Sequence, residues 1–475
     1  MLKHPSQPAR AAALFGAAVV LVGCQTYSPQ PLDLPAHRDS WLARAPGDDS
    51  VRTFAKRLAD TGQQSGFDPA DGLSLTEGEI VAIVYNPDLR LARLRAGIAA
   101  ATAEHAGRWQ DPEFGIDFLT LTESAANPFL ITPGVSLTVP ISGRLEAEKA
   151  RASAQLAAEL TRVAEQEWLT RIELRRAWLR WTATTLKAEQ TELLLASIES
   201  LAASTAKLAD AGELPRTEAA LFAIERSSQR QALLRYRGEA DETEQDLRAI
   251  LGLSPEAPIE LVPTTLAESG PLEITSVTDR NLNLARLRDE YQAAEHALRR
   301  EVREQYPDLT LGPLAELDRG DTLLGFSLAL PIPILSANKQ GIAEAHAQRE
   351  LARAAFETAY ERLAGSLAAA SRKLHALREQ RTHIESNTAP LVDQLLIDAQ
   401  SLLQLGEGGT LVLLESLTRA AQTRTDLIDA RLSESLAITL LAELAGPPAR
   451  PSSESPHPNN PGAATPAPIT TEMNP

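Results

Sequence analysis

A single cysteine, two methionines and an aromatic content of only 4% mark this 475-residue sequence. One thiol excludes a disulfide within the chain and leaves the histidines no cysteine partner for a zinc site. So few rings argue against a compact multidomain enzyme and for long helices packed along narrow seams. Positive charge is also short, with 46 Lys and Arg against 63 Asp and Glu and a formal net charge of −17. That balance argues against a nucleic-acid partner, because phosphate binding needs clustered Lys and Arg. His4, His37, His105, His296, His346, His375, His383 and His457 are scattered, with no His-Glu-x-x-His spacing. The glycines of "GEGGT" at 406–410 lack the Lys of a phosphate loop and read as a helix-to-helix turn. No catalytic constellation emerges, so the chain reads as a non-enzyme with no cofactor and no metal site.

Lys3 and Arg10 precede an apolar run at 11–22 of about a dozen residues, too short for a helical span of about 20. Residues 1–23 therefore read as a secretory signal. The run closes on Leu21-Val22-Gly23-Cys24, which resembles the bacterial lipobox and makes Cys24 the expected lipidation site. Several acyl chains would hold the protein firmly, at about 0.8 kcal/mol per buried CH₂. Gln25 after the cysteine implies, by the lipoprotein sorting pattern, delivery to the outer membrane. Residues 24–72 are Pro- and Asp-rich and read as an irregular arm. The Pro-rich residues 447–475 carry almost no large apolar side chain and are expected to be disordered.

The remainder is one unit written twice. "LARLR" recurs at 91–95 and 284–288, "AEHA" at 103–106 and 294–297, and "GVSLTVPI" at 134–141 returns as "GFSLALPI" at 325–332. A nearly constant offset gives a first repeat over 73–253, a linker over 254–270 and a second repeat over 271–446. Each repeat reads as a helix, a strand pair, a very long helix, a Gly-marked turn and another helix. The first helix carries a start signal at Thr76-x-x-Glu79. Neither Gly nor Pro occurs over 144–211, so a helix of roughly 100 Å is expected there, with Leu194, Ile198, Leu201, Thr205 and Leu208 along a coiled-coil seam. The second long helix, over 339–405, is interrupted by Gly365 and by Pro390, where a bend is expected.

The hairpins fall at about 112–141 and 307–332. Val135, Leu137 and Val139 alternate with Ser136 and Thr138, and Leu324, Phe326, Leu328 and Leu330 with Gly325, Ser327 and Ala329. The partner strands are weaker, because Leu119 breaks one alternation and Pro313 is awkward inside the other. A half-buried hairpin pair in a soluble core is the plain reading. With an export signal and strands of about ten residues, the pattern instead matches a transmembrane barrel, with Trp109 and Tyr306 as interface aromatics. Four strands cannot close a barrel, and lipid tolerates no unpaired edge, so several copies must pool their hairpins.

"NPDLRLARLR", "GVSLTVPISGR", "AGELPR" and "LPIPILSANKQGIAEA" together resemble the TolC-like family of outer-membrane efflux factors. The last segment is similar to its heavy-metal branch, which serves cobalt-zinc-cadmium and copper-silver exporters. The resemblance implies a mainly α fold with a small β part, in which duplicated coiled-coil helices form a periplasmic tunnel. Each chain of a homotrimer gives four strands to a twelve-stranded barrel. It also implies a periplasmic adaptor and an inner-membrane pump as partners, with outer-membrane lipid around the barrel. In that threefold assembly Glu213 and Glu407 would ring one opening, and Glu415 corresponds to a gate position. Solvated turn glutamates are the plain alternative. By the same resemblance Gly212, Leu214, Arg216, Gly406, Gly408 and Gly409 form the adaptor contact. A periplasmic coiled-coil adaptor lipoprotein is the competing reading.

Overall fold

The computed structural model describes residues 27–60, 66–120, 129–266, 277–318, 321–405 and 409–448. Cys24, Gly406, Glu407 and Gly408, the expected signal and nearly all of the Pro-rich tail lie outside them. The chain divides into two units, 1–44 and 45–475. In the first, helix α1 (Leu34–Leu42) is opened by Asp33, whose carboxylate accepts the Ala36 N–H at 3.0 Å. The second begins with α2 (Asp49–Asp60), whose buried Val51 and Ala55 lie four residues apart on one face. The arm expected to be irregular is therefore largely helical. Asp33 and Pro35, Asp49, and Asp68 and Pro69 stand at helix starts, where they are compatible with helix.

The first repeat follows as α3 (Leu75–Tyr85), α4 (Pro87–His105), β1 (Glu113–Thr120), β2 (Phe129–Val139), α5 (Arg144–Asp210) and α6 (Arg216–Ile250). The second comprises α7 (Val277–Arg280), α8 (Leu282–Glu304), β3 (Leu309–Asp318), β4 (Asp321–Ala329), α9 (Lys339–His383), α10 (Ala389–Gln404) and α11 (Thr410–Ala445). Helix α5 runs unbroken for 67 residues, about 100 Å at 1.5 Å per residue. Its buried seam includes Thr191, Leu195, Ile198, Ala202 and Thr205. Leu201 is half-buried and Leu208 exposed, because the seam follows Ala202 in the last turns.

Helix α3 starts two residues earlier than Thr76 suggests. Ser74 is the N-cap, and it forms a capping box with Glu77, whose carboxylate accepts the Ser74 N–H at 3.0 Å. Glu79 is instead buried beside Arg175, 2.7 Å away. The main core gathers Val51, Leu73, Ile80, Val81, Leu174, Leu247 and Leu251 around Trp178, which is fully buried and donates its indole N–H to the Val262 carbonyl at 2.9 Å. Trp181 packs edge-on against it, with ring centroids 6.2 Å apart.

Gly365 does not interrupt α9. A glycine inside a helix costs about 1 kcal/mol but removes no hydrogen bond. Pro390 does remove one. The ladder adjusts through a π-helical turn at Ile384–Thr388, directly before α10, with the Ala389 N–H reaching back to the Ile384 carbonyl. An ion-pair network holds this turn. Glu434, buried on α11, accepts from Arg378 at 2.9 Å and from Arg381 at 2.6 Å, while Glu385 of the turn bridges Arg381 and Arg431. The hydrogen bond from Arg431, reinforced by the charges of Arg431 and Arg381, holds the Glu385 carboxyl below its usual 4.5. The stabilisation from that pair is fully present above the ordinary carboxylate range and is lost as the pH falls through the lowered folded value. Glu385→Gln should therefore melt below the unsubstituted protein at pH 7, and the gap should narrow toward pH 3 in a series of thermal scans. A gap independent of pH contradicts the assignment.

Candidate functional site

The four strands form one antiparallel sheet in the order β1-β2-β3-β4, so the two hairpins lie side by side. Period-two alternation and the pairing register fix both faces. Phe114 lies opposite Val135, Ile116 opposite Pro133 and Phe118 opposite Ile131; beyond β3, Leu311 lies opposite Leu328 and Pro313 opposite Phe326. These residues share one face, and it is apolar across all four strands. The other face carries Asp117, Thr132, Ser136, Thr138, Thr310, Glu316 and Ser327, interspersed with glycines and with Leu119, Leu130, Leu314 and Leu323. Thr138 and Thr310 are 3.1 Å apart there, hydroxyl to hydroxyl. Leu119 lies on this face opposite Leu130, which is how the irregular alternation of β1 resolves.

Phe118 and Leu324 on the apolar face are 74% and 85% exposed. An apolar sheet face left uncovered, with polar residues behind it, is the pattern of a wall between lipid and water. Neither outer strand is paired on its far side within the described chain: β1 and β4 are the two edges of an open sheet. A long, flat, apolar edge is a template for another strand.

Pro313 is tolerated in the central strand β3 because the ladder to β2 is interrupted opposite it, between Gly134↔Leu314 and Leu137↔Leu311. Beside it the backbones approach so closely that a Cβ on Gly312 would lie 1.7 Å from the Val135 carbonyl oxygen. The register also explains why each copy of the repeated strand opens with glycine. Gly115, Gly134, Leu314 and Gly325 form one row across the sheet. Leu314 lies over its glycine neighbours: a Cβ on Gly325 would come within 3.0 Å of the Leu314 Cδ1. Sequence patterning missed this row because it is visible only across strands.

At the opposite end of α5 the chain turns at Gly212, which is left-handed at φ +77°. The Glu213 N–H bonds the Leu208 carbonyl at 2.9 Å and the Gly212 N–H the Ala209 carbonyl at 3.2 Å, closing a Schellman-type end. Glu213 is exposed, Leu214 half-buried, and Arg216 opens α6 after Pro215. Gly409 caps α11, and the Thr410 hydroxyl donates to Glu218 of α6 at 3.0 Å, which ties the two helix starts together. Glu415 pairs with Arg419 of its own helix at 2.8 Å, both largely exposed. Glu213 faces solvent, whereas Glu415 carries a cation on its own helix.

A second device, not anticipated from sequence, is built twice where each repeat closes. Asn86 caps α4 by accepting the Leu89 N–H at 3.0 Å and donates to the Ile250 carbonyl at 2.9 Å. Asn281 caps α8 through the Leu284 N–H at 2.9 Å and donates to the Leu444 carbonyl at 2.8 Å. Each asparagine thereby clasps the last turn of a helix about 160 residues away. The glycine ending that helix fits against the residue before the asparagine. A Cβ on Gly252 would lie 2.2 Å from the Tyr85 oxygen, and one on Gly446 2.1 Å from the Arg280 oxygen. The local signal was present, since both asparagines stand three residues before a leucine, but the distant carbonyl was not.

Among the described residues no three metal-ligating side chains gather, and no helix is long and apolar enough to cross a membrane. Trp109 and Tyr306 are both about half-exposed, at 56% and 54%, just before β1 and β3 and so at one end of the sheet.

The open four-stranded sheet, apolar on one face, is thus carried on long helices, of which α5 alone spans about 100 Å. The chain shares its fold with the outer-membrane protein VceC of Vibrio cholerae at a TM-score of 0.66 and 17% identity, over 78% of this chain and 96% of that one. It is similar to the outer-membrane channel OprN at 0.68 and 15% identity, over 89% of this chain and 98% of that one. It is also similar to the open state of the MtrE outer-membrane channel of Neisseria gonorrhoeae, at 0.66 and 14% identity over 81% and 93% of the two chains. No family model and no curated protein matches the sequence. At these identities the likeness is one of fold.

Proposed function

We propose that the protein is the outer-membrane exit duct of a tripartite efflux system. On this reading it is a passive conduit that receives its cargo from an inner-membrane pump through a periplasmic adaptor. The observation that carries the reading is the open sheet, apolar on one face and polar on the other, with both edges unpaired. Three copies give twelve strands, enough to leave a pore, whereas eight strands give a barrel about filled by side chains. The long helices continue the wall into the periplasm, Trp109 and Tyr306 sit at the membrane interface, and acylated Cys24 anchors the arm. The competing adaptor reading calls for many short strands between the helical halves; the described residues hold four, all in one sheet.

Heavy-metal cations are the proposed cargo class, supported by the segment at 330–345 and by the net charge of −17. Glu213 and Glu407 form the proposed carboxylate ring at the helix tips, with Glu415 beside it, and the surrounding Gly212, Leu214, Arg216, Gly406, Gly408 and Gly409 meet the adaptor. Carboxylates at a narrow opening attract cations and repel anions. In planar lipid bilayers the protein should conduct, and replacing Glu213 and Glu407 together by Gln should raise its relative anion permeability. Absence of any conductance sinks the duct; unchanged selectivity removes the ring alone.

A further inference from the structure

The two repeats differ where strand gives way to long helix. Val139 and Arg144 are separated by four residues, whereas nine lie between Ala329 and Lys339. The longer linker reads "LPIPILSAN", and no charge occurs from Thr322 to Asn338. Ile332, Ile334 and Leu335 are 75%, 79% and 90% exposed. Nothing in a water-filled setting explains three large aliphatic side chains held out together.

The loop is also built, not slack. Its end is fixed to α8 by Asn338, whose side-chain amide donates to the Glu301 carbonyl at 3.0 Å and to the Glu301 carboxylate at 2.8 Å. Ala337 and Asn338 are successive left-handed residues, at φ +45° and +50°, a conformation that alanine rarely holds. The Ile334 N–H bonds the Ile332 carbonyl at 2.9 Å, a tight turn that presents the apolar tip.

We infer that residues 330–335 form a membrane-interface anchor that inserts Ile332, Ile334 and Leu335 into the lipid leaflet at the helical end of the sheet. Leu330 and Ile332 continue the two-residue spacing of Phe326 and Leu328 past the last strand residue, and the exposed Ile334 and Leu335 follow in the tight turn. A neighbouring copy closing the sheet approaches along the strand edge, in the hydrogen-bonding direction, and leaves that face to lipid. Trp109 and Tyr306 lie at the same end, where amphipathic rings mark the boundary between acyl chains and water. The first repeat offers only Ile141 there, so the anchor belongs to the second repeat alone.

The inference rests on the barrel reading, and one experiment separates the two. Nitroxide labels are placed singly on Leu335→Cys, Phe326→Cys and Gln340→Cys in the full-length protein, reconstituted in phosphatidylethanolamine–phosphatidylglycerol vesicles. The unsubstituted protein serves as the labelling blank for Cys24. Collision rates with oxygen, which concentrates in lipid, and with a water-soluble nickel complex report the surroundings of each label. The ratio of oxygen to nickel collisions should be several-fold higher at 335 and 326 than at 340. A ratio at 335 equal to that at 340, with 326 still in lipid, overturns the anchor and spares the barrel. Protection of 335 from both reagents assigns the loop to a contact with another copy and overturns it equally. Nickel access at 326 sinks the membrane wall and the anchor together.

Discussion

Gly312→Ala should abolish assembly into the proposed channel, although it adds one methyl group. The Cβ would stand 1.7 Å from the Val135 carbonyl oxygen, about half a carbon–oxygen contact distance. The obstacle is backbone, so no rotamer change relieves it. The strands must separate, and with them the pairing of the two hairpins, since β2 and β3 form the only junction between the repeats in the described sheet. On unheated gels the assembled species should disappear, while helical circular dichroism is largely retained, because the long helices pack in a different part of the molecule. Gly238→Ala, in α6 with open space around the added carbon, should leave assembly intact and gain up to about 1 kcal/mol in helix propensity. A G312A protein that assembles normally would mean that the hairpins are not paired in this register.

The second large effect is expected at the duplicated clasp. Asn86→Ala removes a helix cap, about 1 kcal/mol, and leaves the part-buried Ile250 carbonyl without this donor, a further cost of about 1 kcal/mol. Asn281→Ala repeats both losses at Leu444. The two clasps share no hydrogen-bond partner, so their effects should add. The single variants should each lower the apparent melting temperature at a fixed scan rate, and the double variant by about the sum. Asn→Asp at either position should rescue the cap, which needs only the side-chain oxygen, but not the donation to the distant carbonyl. An Asp variant that melts like the unsubstituted protein would show that the clasp contributes nothing beyond capping. If the double variant melts like the unsubstituted protein, the clasp is not structural.

Which parts of this architecture were legible follows from the range of the interactions involved. The strand alternation at 134–141 and 325–332 is a local period-two signal, and the long helix α5 announces itself by containing no residue that breaks it. The same reading overstated Gly365, because a glycine weakens a helix without removing a hydrogen bond, and it understated α2, whose Val51 and Ala55 face a core assembled from distant residues. At the first helix, Ser74 and Thr76 present the same side-chain chemistry two residues apart. The choice fell to Ser74 because Glu77 from that register also accepts the Asp68 N–H, at 2.8 Å. The glycine row beneath Leu314 and the carbonyl partners of Asn86 and Asn281 could not be read at all. Each depends on residues brought together from more than 150 positions away. The carboxylates proposed for the helix tips were found by repetition of Gly-Glu, and of these Glu213 alone is both described and solvent-facing.

The account rests on an open sheet completed by further copies of the same chain. Light scattering of the detergent-extracted protein, separated by size and corrected for bound detergent, measures this directly. The predicted protein mass is three chain masses, in a particle that aggregates when detergent is withdrawn. A monodisperse single chain that stays soluble without detergent would contradict it.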